Sequence, residues 1–159
     1  MTTREELIDG LQMVMREGRR VTSTFSPDDW KRQVHGEEGG WDRKRVYCHI
    51  TAVAEITPAY VPNLASLPEG GDAASGMDFD AVNAQLVSAR EHLGEKELMD
   101  AFETAYEKAI DFVQTMPEEQ LQRQTRFGAL RGPVSDIMDS VLVLHSMAHM
   151  YSAGGSAVR

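Results

Sequence analysis

Apolar residues recur at intervals of three and four through most of this chain, and that periodicity points to helices throughout. Leu7, Leu11, Val14, Met15 and Val21 mark a first helix over residues 3–23, with Thr2 or Thr3 as N-cap and acidic residues in the first turn. Val46, Ile50, Val53 and Ile56 mark a second, expected from near Trp41 to near Pro58. Asp78 can cap a third through about His92, with Phe79, Val82, Leu86 and Ala89 or Arg90 along one side and Asn83 one position off that line. Leu98, Phe102, Ala105, Ala109, Phe112, Val113 and Met116 define the next, closed by Pro117. Pro133 opens a last helix that Gly154 and Gly155 end. Ser26-Pro27-Asp28-Asp29 caps a short turn carrying Trp30, and His35 to Gly40 reads as a polar loop. Residues 61–77, with Pro62, Pro68, Gly70, Gly71 and Gly76, read as a long surface loop, either a lid or disordered, and 118–132 as a linker. No segment alternates as a strand would. The expectation is an all-α four-helix bundle, one domain over residues 1–159, with one long crossover.

Composition narrows the partners. A net charge of −9 leaves no basic run to neutralise phosphates, which argues against nucleic acid and anionic membranes. Cys48 is the single cysteine, so no internal disulfide can form, and it reads as a small packing residue. The first residues lack the apolar segment of a signal peptide and no run is long enough to span a bilayer, so the expectation is a soluble cytoplasmic protein acting on a small molecule.

The feature with chemistry in it is Leu142-Val-Leu-His-Ser-Met-Ala-His-Met-Tyr151. His145 and His149 stand four apart, on one face of a helix, with Cβ atoms roughly 6 Å apart. An apolar stripe through Val134, Ile137, Met138, Val141, His145, Ala148 and His149 would turn both imidazoles inward. Buried imidazoles need partners, and a divalent metal, a carboxylate or a backbone carbonyl would each serve. The glutamate of a HExxH zinc-protease motif is absent, because Ser146 follows His145. On the second helix His49 lies three after Val46 and four before Val53, so it too faces inward. Alone it reads as a core histidine with a neighbouring acceptor. In helical bundles, metal sites are assembled from residues on facing helices, which suits His49 with the other two.

Gly40-Trp41-Asp-Arg-Lys-Arg-Val-Tyr-Cys-His49-Ile50, the Asp78-to-Leu86 helix with Asn83, and His145-x-x-x-His149 together resemble the DinB-like superfamily. More narrowly, they are similar to the branch named for the metal-binding domain of mycothiol-dependent maleylpyruvate isomerase. The likeness runs over almost the whole chain. It implies an up-down-down-up four-helix bundle, often a homodimer, with extra short helices and a divalent metal on His49, His145 and His149. Two departures matter. The thiol-dependent isomerases of the branch tend to carry glutamate where this chain has His145, and they have a second, C-terminal domain outside these 159 residues. What carries over is the site chemistry rather than the isomerase reaction itself.

The function this implies is a thiol-dependent S-transferase or isomerase acting on a small electrophile. A metal with three protein ligands and an open position lowers the pKa of bound water or thiol and polarises a carbonyl. Zinc heads the candidates, with nickel, iron and manganese also compatible with nitrogen donors, and the thiol would be a low-molecular-weight one such as mycothiol. Arg43, Arg45, Arg90, Arg126 and Arg131 are candidates for holding an anionic thiol or substrate. Glu55, Asp136 and Asp139 are candidates for orienting an imidazole. The alternatives are a metal-dependent hydrolase, a non-catalytic small-molecule binding or self-resistance protein, and a helical dimer whose histidines only satisfy one another.

Overall fold

A computed structural model describes residues 1–34, 40–68 and 70–154, so the loop expected at His35 to Gly40 lies outside the described residues except for Gly40. The helices are α1 (Arg4–Thr22), α2 (Arg43–Ser66), α3 (Phe79–Ser88), α4 (Glu95–Thr115), a short α5 (Glu118–Leu121), α6 (Val134–Met138) and α7 (His145–Gly154), with α6 and α7 joined by a π-helical segment, Asp139–Leu144. Helix α1 packs on α4 and α7, and α2 packs on α4, α7 and α3. The result is a four-helix bundle of α1, α2, α4 and the composite α6–α7, with α3 lying in the long crossover between α2 and α4.

Local chemistry accounts for the helix starts. Thr3 caps α1 in a capping box with Glu6, Asp42 accepts from the Arg45 N–H at the start of α2, and Asp78 accepts from the Ala81 N–H at the start of α3. Arg4 donates to the carbonyls of Val113 and Met116, tying the beginning of α1 to the end of α4. The short turn around Trp30 is held by Ser26 and Asp29, whose side chains cap each other's backbone N–H groups. One hydrophobic core runs through Leu7, Leu11 and Val14 of α1, Val46 and Ile50 of α2, Phe102 and Tyr106 of α4, and Leu142 and Met150 of the last helix. Among the described residues, no helix is long and apolar enough to cross a membrane.

Three sequence expectations need correction. Helix α2 does not stop near Pro58 but continues through Pro58 and Pro62 to Ser66. Each of the two interior prolines costs about 3 kcal/mol; burial of Val61 and Leu64, about 1.5–3 kcal/mol each, offsets much of this, and Tyr60 adds a hydrogen bond to the Ala73 carbonyl at 2.6 Å. The region taken as a linker contains a β-hairpin, β1 (Gln124–Phe127) with β2 (Leu130–Pro133), paired so that Phe127 faces Leu130. Gly128 takes φ +60° at the first of two loop positions, a conformation natural to glycine. The crossover, expected as a free loop, is stitched to the hairpin: Ala73 N–H donates to the Arg126 carbonyl, Arg126 N–H to the Gly71 carbonyl, and Gly128 N–H to Asp72 Oδ1.

Candidate metal centre

The π-helical segment sets the direction of the last helix. Each i→i+5 bond takes up one more residue than an α-turn, so the buried line after Met138 runs through Leu142, Ser146 and Met150. Ala148, expected inside, is exposed, and Val141 is half-buried. Ser146 is tolerated in the core because its Oγ lies 2.7 Å from the Tyr106 hydroxyl, which is also 3.2 Å from the Leu142 carbonyl. His145 and His149 each precede a residue of that buried line, and both meet His49 from α2.

The structure brings the three histidines together. The His145 and His149 Nε2 atoms are 2.9 Å apart and those of His49 and His145 are 3.4 Å apart. All three donor atoms lie within 4.8 Å of one another. Bonds of 2.0–2.1 Å to one ion place two nitrogens about 2.9 Å apart at a right angle and about 3.4 Å apart at the tetrahedral angle, so the donor set fits a divalent cation. Without a cation, facing lone pairs at such distances need a shared proton. His49 is buried, which pushes its pKa down to about 3, with the charges of His145 and His149 acting in the same direction. Its Nδ1 has no hydrogen-bond partner among the described residues. The Trp41 ring packs over His49 at 5.1 Å between centroids and reaches His149 at 6.5 Å, covering one side of the cluster.

On the other side, a cavity of about 460 Å³ reaches His49 and His145. Its walls are Val53 and Ile56 of α2, Val82 and Leu86 of α3, Phe127 and Leu130 of the hairpin, and Val141 of the π-helical segment. Ile56 and Phe79, 37% and 41% exposed, stand at its mouth. Four further polar residues line it. Thr57 donates to the Val53 carbonyl and Tyr60 to that of Ala73, while the side chains of Asn83 and Ser140 make no hydrogen bond within the described residues.

Other sequence candidates sit elsewhere. Arg43 pairs with Asp29 over the Phe25 ring, Arg45 pairs with Glu91, Arg90 pairs with Glu55, and Arg126 and Arg131 face each other across the hairpin; none of the five lines the cavity. Glu55 is thus engaged by Arg90, and Asp136 accepts from the Thr2 N–H at 2.6 Å. The Asp139 carboxyl is pushed up by burial and by the charges of Asp136 and Glu6, which places it on the α1 side. Cys48 is buried in the core, and burial pushes its thiol up to about 11, far from a reactive thiolate. Asn83, which the sequence offers as a residue off the apolar line and as part of the family-like Asp78-to-Leu86 helix, lies on the cavity wall.

The sequence profile of the mycothiol maleylpyruvate isomerase N-terminal domain family matches residues 11–146. The chain belongs to this family. No curated protein matches it significantly in sequence. Among solved structures, the family fold is shared with YfiT from Bacillus subtilis, described as a probable metal-dependent hydrolase with an unusual four-helix bundle topology (12% identity, TM-score 0.66, 94% of this chain and 83% of that one). It is shared with DfsB, described as a sibling lethal factor precursor (12%, 0.74, 96% and 94%). A mycothiol-dependent maleylpyruvate isomerase superposes at 14% identity and TM-score 0.72 over 98% of this chain, which spans 62% of that protein's length. At these identities the likeness speaks for the fold alone, a four-helix bundle.

Proposed function

We propose that His49, His145 and His149 hold a divalent metal ion, and that the protein uses it with a low-molecular-weight thiol for S-transfer to, or isomerisation of, a small electrophile. The observation that carries this reading is the convergence of three Nε2 atoms from two helices at the end of an apolar cavity. Family membership supports it. Zinc suits the all-imidazole donor set best, and nickel, iron or manganese also fit.

When bound, the ion would act as a Lewis acid favouring an ionised thiol and a polarised carbonyl. The protein's own residues do the rest. Trp41 shields the cluster from solvent on one side, and the cavity wall excludes water and holds the electrophile against His49 and His145. Adding the thiol sulfur to an activated double bond moves the thiol proton to the neighbouring carbon. Reversal after rotation about the resulting single bond gives the isomer, so no oxidant or reductant is needed.

The test is to assay metal-loaded protein with mycothiol or a simpler thiol plus 1-chloro-2,4-dinitrobenzene and enones, alongside p-nitrophenyl esters and amides without thiol. Metal-dependent thiol consumption is expected. Ester or amide cleavage without thiol would move the assignment to a hydrolase, the activity described for YfiT. Stoichiometric binding without turnover would move it to a sequestering protein.

A further inference from the structure

We infer, building on that reading, that the part of the substrate held in the cavity is uncharged and largely apolar, positioned by at most one or two hydrogen bonds from Asn83 and Ser140. The walls are aliphatic and aromatic, and among the described residues no lysine or arginine lines them. Arg90 belongs to the stretch that follows α3, but its guanidinium is turned to Glu55 and the Leu86 carbonyl. The net charge of −9 supplies no compensating positive field.

An ionised group entering such a cavity gives up its water and gains no counter-charge. A divalent ion on three neutral histidines carries two positive charges; the thiolate takes one, one carboxylate at the metal can take the other, and a second carboxylate, out in the cavity, finds nothing. Maleylpyruvate, named as the substrate of the isomerase relative, is a dicarboxylate; the electrophile for this chain carries no such pair. Thr57 and Tyr60 have already donated to backbone carbonyls, whereas the side chains of Asn83 and Ser140 make no hydrogen bond among the described residues. A single carbonyl or hydroxyl on an otherwise apolar frame matches them. The volume of about 460 Å³ corresponds to roughly 15 water-sized groups, in the range of small-ligand pockets.

N-phenyl-1-naphthylamine and 1-anilinonaphthalene-8-sulfonate share an aromatic frame and differ by one sulfonate, so fluorescence titration of each isolates the effect of charge. The neutral probe is expected to bind at least tenfold more tightly to chelator-treated protein, where no ion can attract the sulfonate. Ile56→Arg, at the exposed mouth, should cut that preference at least threefold by strengthening sulfonate binding, while Ile56→Met leaves it intact. Equal or tighter binding of the sulfonate by the chelator-treated wild type, or no saturable binding of the neutral probe to folded protein, overturns the inference. Metal analysis separates the two ideas. Failure to take up metal with the preference intact removes the proposed function alone, and metal uptake by a protein whose chelator-treated form prefers the sulfonate removes this inference alone.

Discussion

The two halves of the interior are built from the same kinds of residue and are filled differently. Between α1, α2 and α4, the rings of Trp30, Tyr47, Phe102 and Tyr106 follow one another at centroid separations of 5.5, 6.0 and 4.8 Å. That half is close-packed: a Cβ on Gly18 of α1 would meet the Phe102 ring at 2.7 Å. Between α2, α3, the hairpin and the π-helical segment, equally apolar side chains leave about 460 Å³ open beside two histidines. Apolar walls close on each other unless something holds them apart. Here the hairpin, pinned to the crossover through Asp72, Ala73 and Arg126, does so. Packing is given up in the half that holds the histidines and kept in the half that stabilises the fold.

Breaking the filled half should cost most. Phe102→Ala is expected to lose about 3–5 kcal/mol in urea unfolding, against about 1 kcal/mol for Leu86→Ala on the cavity wall; equal losses would erase the distinction between the halves. Acid should act on the hollow half of metal-free protein. The folded-state value of His49 lies near 3, well below the unfolded value near 6.5, so between those limits the unfolded chain binds the extra proton. Stability is therefore full above about pH 6.5 and falls as the pH drops, by about 2 kcal/mol at pH 5, and His49→Asn should flatten that part of the profile. Gly18→Ala should destabilise by about 1–2 kcal/mol, since overpacking against Phe102 outweighs the helix propensity gained. Val82→Phe, adding more volume to the hollow half, should leave the melting temperature unchanged and displace the neutral naphthylamine probe. Tyr106→Phe should cost about 1 kcal/mol from the lost contact to Ser146, with weaker metal affinity at unchanged stoichiometry because the turn carrying His145 loosens.

The contrast also marks how far the sequence could be read. Helix faces were legible wherever one side packs continuously, because burial of Leu7, Leu11 and Val14, or of Leu98, Phe102, Ala105 and Ala109, writes a 3.6-residue period directly. Inward histidines stood out because such burial is costly and therefore uncommon. The extension of α2 past Pro58 was hidden because a local rule was outweighed by the tertiary burial of Val61 and Leu64. The hairpin did leave a mark, the Gly-X loop in Phe127-Gly128-Ala129-Leu130, but strands of four residues show no clear alternation. The one-residue shift in the π-helical segment leaves no local signature, which is why Ala148 was placed inside. Whether inward apolar residues touch or stand apart is a property of the backbone frame, so the cavity could not be read at all. Of the arginine and carboxylate candidates, Arg43, Arg45 and Arg90 are drawn into ion pairs with Asp29, Glu91 and Glu55, and Asp136 accepts from the Thr2 N–H.

The most direct check is the metal content of protein purified without a metal-affinity tag, followed by zinc titration of the wild type and of a His145→Ala/His149→Ala double variant. One divalent ion per wild-type chain is predicted, and none in the double variant although its helical circular dichroism is unchanged. A wild type that takes up no metal, or a folded double variant that keeps the same stoichiometry, would contradict the account.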